Sequence, residues 1–268
     1  LQVFLQVQLL GSERFLTRAE PDSDGFAELA GRCGWLSLIS EVLPRALLAQ
    51  MKLSRMLLGS SGGEQFLLVL TDDSIHEAKM FLQRTAAAFA QLSHGTLRLV
   101  WASTENLGAW PIVRKRIQDE LERAISAPLT EEAAGSAFAP LETTEEAPQS
   151  DYFAAFGKEL LGASRIGWSP EEPALLVCDG GTFSWSLRDA SSIDEDAITY
   201  PRRYVLNEDQ QIASPVQIAQ FAEGAQRWGI LRGDVDHFDL RLKRTDSVEE
   251  HIHLSVLFKE FFAGELSV

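Results

Sequence analysis

The sequence predicts an α+β chain whose first unit is ferredoxin-like, β-α-β-β-α-β, with two helices over one face of a four-stranded antiparallel sheet and the other face open. Three observations carry that expectation. Apolar side chains alternate with polar ones at a period of two at Leu1, Val3, Leu5, Val7 and Leu9, and again at Leu97, Leu99 and Trp101. Two longer stretches repeat apolar residues every three to four positions, as amphipathic helices do. Between these, two apolar runs flank Gly62 and Gly63, which can take the positive φ of a tight hairpin turn.

In chain order, residues 1–9 read as the first strand, with Gln2, Gln6 and Gln8 on the polar side. A helix from about Phe26 to Met51 follows, apolar at Leu29, Leu36, Ile39, Leu43 and Leu47, with a kink expected at Pro44, which has no N–H to donate. "RMLLGSSGGEQFLLVL" (55–70) is the hairpin. Ile75, Ala78, Leu82, Ala86 and Phe89 mark the second helix, and Leu97 to Trp101 the closing strand. Val113, Ile117, Leu121 and Ile125 place another helix at the edge of this first domain, residues 1–126. Residues 127–150, rich in Ala, Pro, Thr and Glu, have too few large apolar groups to offset the entropy of ordering and read as a flexible linker. Residues 151–214 read as a small connecting module: a helix at 151–163 and weak strands near 174–178, 183–187 and 198–205. Residues 215–268 read as the beginning of a second unit of the same architecture: a helix at 215–227, a strand at 229–238 and a helix at 247–262.

The chain has 268 residues, 45% of them hydrophobic, enough for a sizeable core. Its net charge of -15 argues against free-standing nucleic-acid recognition, which needs clustered Lys and Arg, so RNA contact is expected only together with partner subunits. Cys33 and Cys178 stand far apart, in no zinc or C-x-x-C pattern, which suggests a reducing cytoplasm. No apolar run approaches the roughly 18 residues of a membrane span. The first residue is not Met, and a piece of a longer protein is expected.

The segment "GILRGDVDHF" (229–238) ends an apolar run in two aspartates. On a strand, Ile230, Arg232, Asp234 and Asp236 would share one face, with Leu231, Gly233 and Val235 on the other. Paired carboxylates repel, and a hard cation such as Mg2+ relieves the repulsion while retaining water or substrate phosphate. Two such ions about 4 Å apart can activate a hydroxyl and stabilise a leaving pyrophosphate. The alternative is solvated acid at a strand end, with Asp236 capping a turn. Asp22-Ser-Asp24 and Asp194-Glu-Asp196 have the same spacing in polar, turn-like surroundings, so spacing alone decides nothing. "EPDSDG" (20–25) lacks the glutamate a calcium loop needs at its twelfth position, which is Gly31. His251 and His253, two apart on a helix, project to different faces and read as surface or interface residues. Serine-hydrolase, P-loop and dinucleotide fingerprints do not occur in strand-to-helix context.

"FAEGAQRWGILRGDVDHFDLRL" running on to "HLSVLFKEFFAGEL" resembles the second palm of the large signature subunit of type III CRISPR effector complexes, of Csm/Cmr type. "AGRCGWLSLISEVL" is similar to that family's Arg-containing first helix, and "SSGGEQFLLVL" to its glycine hairpin. The resemblance implies a palm polymerase-cyclase that joins ATP into cyclic oligoadenylate when the assembled complex holds guide RNA paired to target RNA. It implies Asp234 as the ligand of Mg2+ or Mn2+, Asp234 and Asp236 as the catalytic pair, and Val235, His237, Arg232, Gly62 and Gly63 around the nucleotide. Gly62, Gly63, Glu64 and Gln65 stand where the family's active copy has Gly-Gly-Asp-Asp, and Gln6 and Gln8 replace aspartates, so the first palm is expected to be catalytically silent. Partners implied are small effector subunits and, through the complex, both RNAs. The second palm's acidic hairpin, the N-terminal nuclease domain and the four-cysteine zinc module of relatives have no counterpart in these residues. Alone, the chain is therefore expected to be inactive on ATP. Two other readings remain: a non-enzymatic scaffold that binds small subunits and the guide RNA end, and a GGDEF-like nucleotidyl cyclase suggested by "DVDHF". Two palms in one chain and a silent first copy speak against the latter.

Overall fold

The structure is a computed structural model that describes all residues except 18–24, 128–147, 173, 189–195, 201–204, 231–232, 234 and 264–268. The linker expected at 127–150 thus falls largely outside the described residues, which resume in a helix at 148.

The chain is α+β, with two sheets whose pairing is almost wholly antiparallel. The first sheet contains β1 (Gln2–Leu10), β2 (Leu58–Gly62), β3 (Gln65–Thr71) and β4 (Arg98–Glu105) in the order β2-β3-β1-β4. β1 runs antiparallel to both β3 and β4 through registers such as Leu5↔Leu68 and Val7↔Trp101. Alternation decides the faces: Leu5, Val7 and Leu9 are buried against α2 (Gly25–Gln50) and α3 (Asp72–Leu92), while Phe4, Gln6, Gln8 and Leu10 point the other way. A six-residue helix, α1 (Ser12–Thr17), follows β1; it is too short to show a sequence period.

That second face is not left open. α4 (Trp110–Ser126) lies on part of it rather than at the edge, burying Phe4, Leu67, Val100 and Ala102 against Trp110, Val113, Ile117 and Leu121.

α5 (Pro148–Gly162) packs on α2 through two glycines. A Cβ on Gly31 would lie 1.8 Å from the Phe153 carbonyl oxygen, and one on Gly157 would lie 2.7 Å from that of Ala27. The backbones therefore approach more closely than any side chain allows. In the resulting core Phe153 meets Phe15 and Trp35 edge to face, Trp35 meets Phe89 likewise, Phe15 and Trp35 are tilted at 52°, and Trp35 Nε1 donates to the Ala174 carbonyl at 2.9 Å. Arg32 is also structural: it pairs with Glu28 at 2.6 Å and its guanidinium sits 4.8 Å and 4.9 Å from the Phe15 and Phe153 rings.

The second sheet, order β6-β5-β7-β8, holds β5 (Arg165–Trp168), β6 (Leu176–Cys178), β7 (Phe183–Arg188) and the two-residue β8 (Ile198–Thr199), which pairs parallel to β7. Sequence reading located β6, β7 and the start of β8 but not β5. Residues 151–214 share the core of the first domain, because Phe153, Phe156, Leu160, Ile166 and Trp168 join one buried cluster with α2 and α3.

The C-terminal segment differs most from expectation. The helix expected at 215–227 is α6 (Pro215–Gln220), capped reciprocally by Ser214 and Gln217; Gly224 then adopts φ +93. Where a strand is expected at 229–238, the described residues do not form one: residues 229, 230, 233 and 235 are irregular, Asp236 and His237 form a turn, and α7 (Phe238–Lys243) begins directly after. A strand needs a hydrogen-bonding neighbour, and no described strand pairs with this segment. α8 (Val248–Ala263) follows as expected. Among the described residues no helix is long and apolar enough to cross a membrane.

Candidate functional site

A cavity of about 1070 Å3 lies over the second face of the first sheet, in the part α4 leaves uncovered. β1 and β3 raise Gln6, Gln8 and Gln65 into it, the hairpin contributes Ser60 to Gly63, α4 contributes Trp110, Arg114 and Gln118, and α8 closes it with His251, Ser255, Phe258 and Lys259. Its size is at the upper end for small-molecule clefts.

The hairpin turn explains one wall. Gly63 and Glu64 have φ of +59 and +66, the two positive values of a type I′ turn, and Gly62 sits at +142. A Cβ on Gly62 or Gly63 would meet nothing within 4 Å, so bare backbone faces the cavity. Glu64 turns away: its carboxylate accepts from Ser12 Oγ at 2.9 Å, and its carbonyl from the Leu9 N–H at 2.8 Å.

α8 is held against this wall by one close packing contact and one ion cluster. A Cβ on Gly59 would lie 3.3 Å from Ile252 Cδ1, so the strand takes the helix at glycine distance. Lys259 Nζ lies 2.6 Å from each Glu41 carboxylate oxygen and donates to Ser61 Oγ at 2.9 Å. Glu41 also accepts from Arg45 at 2.7 Å. Burial pushes the Glu41 carboxyl up, but the charges of Lys259 and Arg45 and their hydrogen bonds outweigh it and hold the group below the usual carboxylate range. Burial lowers Lys259, with Glu41 offsetting part of the effect.

At the other end, Arg114 donates to the carbonyls of Leu242 and Lys243, the last turn of α7, where a cation complements the exposed carbonyl dipoles. The His251 ring packs 5.3 Å from that of Trp110, and burial, with the Arg114 charge, pushes its imidazole down. Trp110 Nε1 and His251 Nδ1 are buried without a hydrogen-bond partner among the described residues.

Of the site residues expected from sequence, Gly62 and Gly63 line the cavity. Val235 is half-buried and Asp236 and His237 are exposed; none of the three lines it. Asp236 sits in the turn before α7, as in the solvated-acid alternative. Asp234 and Arg232 lie outside the described residues. Among the described residues no group of three or more His, Cys, Asp or Glu could hold a metal ion, and the two carboxylates lining the cavity are Glu41, committed to two cations, and Glu122. The described residues do not assemble a Mg2+ or Mn2+ site.

Sequence reasoning missed Glu41 and Lys259. Each stands with one opposite charge in an otherwise apolar stretch, Glu41 with Arg45 in "LISEVLPRALL" and Lys259 with Glu260 in "VLFKEFF", and neither stretch names the partner across the fold.

The α+β fold is shared over nearly the whole length of this chain with solved structures that include a Csm1-Csm4 subcomplex of the type III-A CRISPR-Csm interference complex. No family model matches the chain and no curated protein matches it. Among solved structures, the apo Csm1-Csm4 cassette superposes with a TM-score of 0.74 at 16% identity, covering 99% of this chain and 39% of that one. The cassette in complex with one ATP gives 0.75, at 16% identity and 99% and 40% coverage. Csm1 in T. onnurineus gives 0.65, at 15% identity and 97% and 37% coverage. Further similar structures contain AMPPNP, cA3, cA4 or pppApA. At these identities the likeness is one of fold, and this chain spans about two fifths of the length of those chains.

Proposed function

We propose that this chain is part of the large subunit of a type III CRISPR RNA-guided antiviral effector complex, and that its cavity takes an adenine nucleotide. The observation that carries this reading is positional. The cavity lies on the sheet face and glycine hairpin of the first unit, in a fold that matches, over 99% of the chain, structures in complex with ATP. On this reading residues 1–126 are a ferredoxin-like palm, 151–214 a connecting module and 215–268 the start of a second palm. The first palm is silent because Gln6 and Gln8 offer neutral amides and Glu64 is bonded to Ser12.

Synthesis of cyclic oligoadenylate belongs to the full-length protein in its assembly with small subunits, guide RNA and target RNA in the cytoplasm. There the segment 229–238 gains strand neighbours from the rest of the second palm, and Asp234 and Asp236 come to share a face. Asp234→Ala in the full-length complex, supplied with target RNA, ATP and Mg2+, is expected to lower cyclic oligoadenylate output by about 100-fold or more, since metal ligation supports several kcal/mol of transition-state charge. Undiminished product by chromatography would rule out Asp234 as an essential metal ligand, and no product from the wild-type complex would rule out the synthetic role. The scaffold reading is favoured by the exposed Asp236, and it predicts full-length complexes that assemble normally and release no cyclic product.

A further inference from the structure

The ion cluster that fastens α8 is unbalanced. One carboxylate, Glu41, faces two cations, Arg45 and Lys259, so the three groups carry a net charge of +1. Arg45 alone would neutralise Glu41: it is almost wholly buried, donates to both the carboxylate and the backbone carbonyl of Glu41, and leaves only its Nε without a partner among the described residues. Lys259 is therefore surplus to the carboxylate. Arg55, whose charge also reaches Lys259, adds further positive potential and is itself paired with Asp196 at 3.0 Å. Lys259 keeps 32% of its side chain exposed, and among the described residues no second carboxylate pairs with it, so an anion in the adjoining cavity would balance its charge.

We propose that Lys259, steadied by Glu41 and Ser61 beside the bare Gly62–Gly63 backbone, is the phosphate-binding corner of the cavity. The proposal rests on the nucleotide reading for its choice of ligand, but the surplus charge itself does not depend on that reading. Ser61 accepts from Lys259 and so keeps its own O–H for a phosphate oxygen. Glu41 holds the ammonium at the wall, so little side-chain freedom is lost when a phosphate arrives. The charge-assisted contact is stronger than a neutral one and falls as salt rises.

The test titrates the 268-residue chain with ATP, adenosine and inorganic tripolyphosphate at one fixed ionic strength, by calorimetry, for wild type, Lys259→Met and Lys259→Arg. ATP and tripolyphosphate are expected to bind about 10-fold or more weakly to Lys259→Met, adenosine equally to both, and Lys259→Arg to retain most of the affinity. Unchanged ATP affinity in Lys259→Met overturns the phosphate corner and leaves the nucleotide pocket standing. Binding of tripolyphosphate without ATP keeps the corner and overturns the nucleotide reading; binding of neither by wild type overturns both. Lys259→Met leaves Glu41 neutralised by Arg45 and is expected to fold. Should it not, Ser61→Ala carries the same test, with a loss of about threefold or more for tripolyphosphate expected and no loss overturning the assignment.

Discussion

At the scale of single residues, Glu41 shows how a buried charge makes stability depend on pH. Its folded carboxyl titrates below the ordinary range, so the stabilisation it gives is complete above that range and lost as pH falls through it toward the folded value. Acidification removes the carboxylate charge that both Lys259 and Arg45 face. The thermal midpoint of wild type is expected to fall on going from about pH 5 to pH 3. Glu41→Gln should be destabilised by about 3 kcal/mol at pH 7, with the gap to wild type narrowing as pH falls through the carboxylate range toward the lowered folded value. Melts followed by tryptophan fluorescence across that range check both slopes. A parallel pair of curves would mean that the carboxylate does not sense its two cations.

At the scale of elements, the contact between α2 and α5 depends on hydrogen atoms standing where side chains would be. Gly31→Ala drives a methyl group to 1.8 Å from the Phe153 carbonyl oxygen, which only a shift of one helix can relieve. A loss of roughly 1–3 kcal/mol or more is expected, several degrees in thermal midpoint, with the second sheet affected because α5 leads into β5. An unchanged melting temperature would mean that the helices slide apart freely.

The elements also show what a sequence can reveal. β1, β4, α3 and α4 were legible because each is long enough for its period to repeat, and β3 because its apolar run follows the glycine turn. α1 and α7, six residues each, and β5, "RIGW", are too short for any period. The 229–238 segment misled for the opposite reason. Its apolar spacing suits a strand, but spacing cannot supply the neighbour that a strand's N–H and C=O groups require. The hairpin half of the site was legible from its glycines, whereas the Glu41–Lys259 pairing joins residues 218 positions apart and leaves no local pattern.

At the scale of the whole molecule, the described residues make a binding cavity but no cage of oxygen ligands, and the solved chains of this fold are far longer. The 268-residue chain by itself is expected to release no cyclic oligoadenylate from ATP with Mg2+ or Mn2+, measured by chromatography over hours. Product from the isolated chain would show that the catalytic set is complete within it.

The 218-residue separation between Glu41 and Lys259 has a consequence for biogenesis. A ribosome delivers the sheet, the hairpin and α4 long before it delivers α8, so the nascent protein passes through a stage with its hollow unroofed. Premature termination between α4 and α8 would leave a roofless basin, and the arrival of α8 decides whether the basin becomes a container.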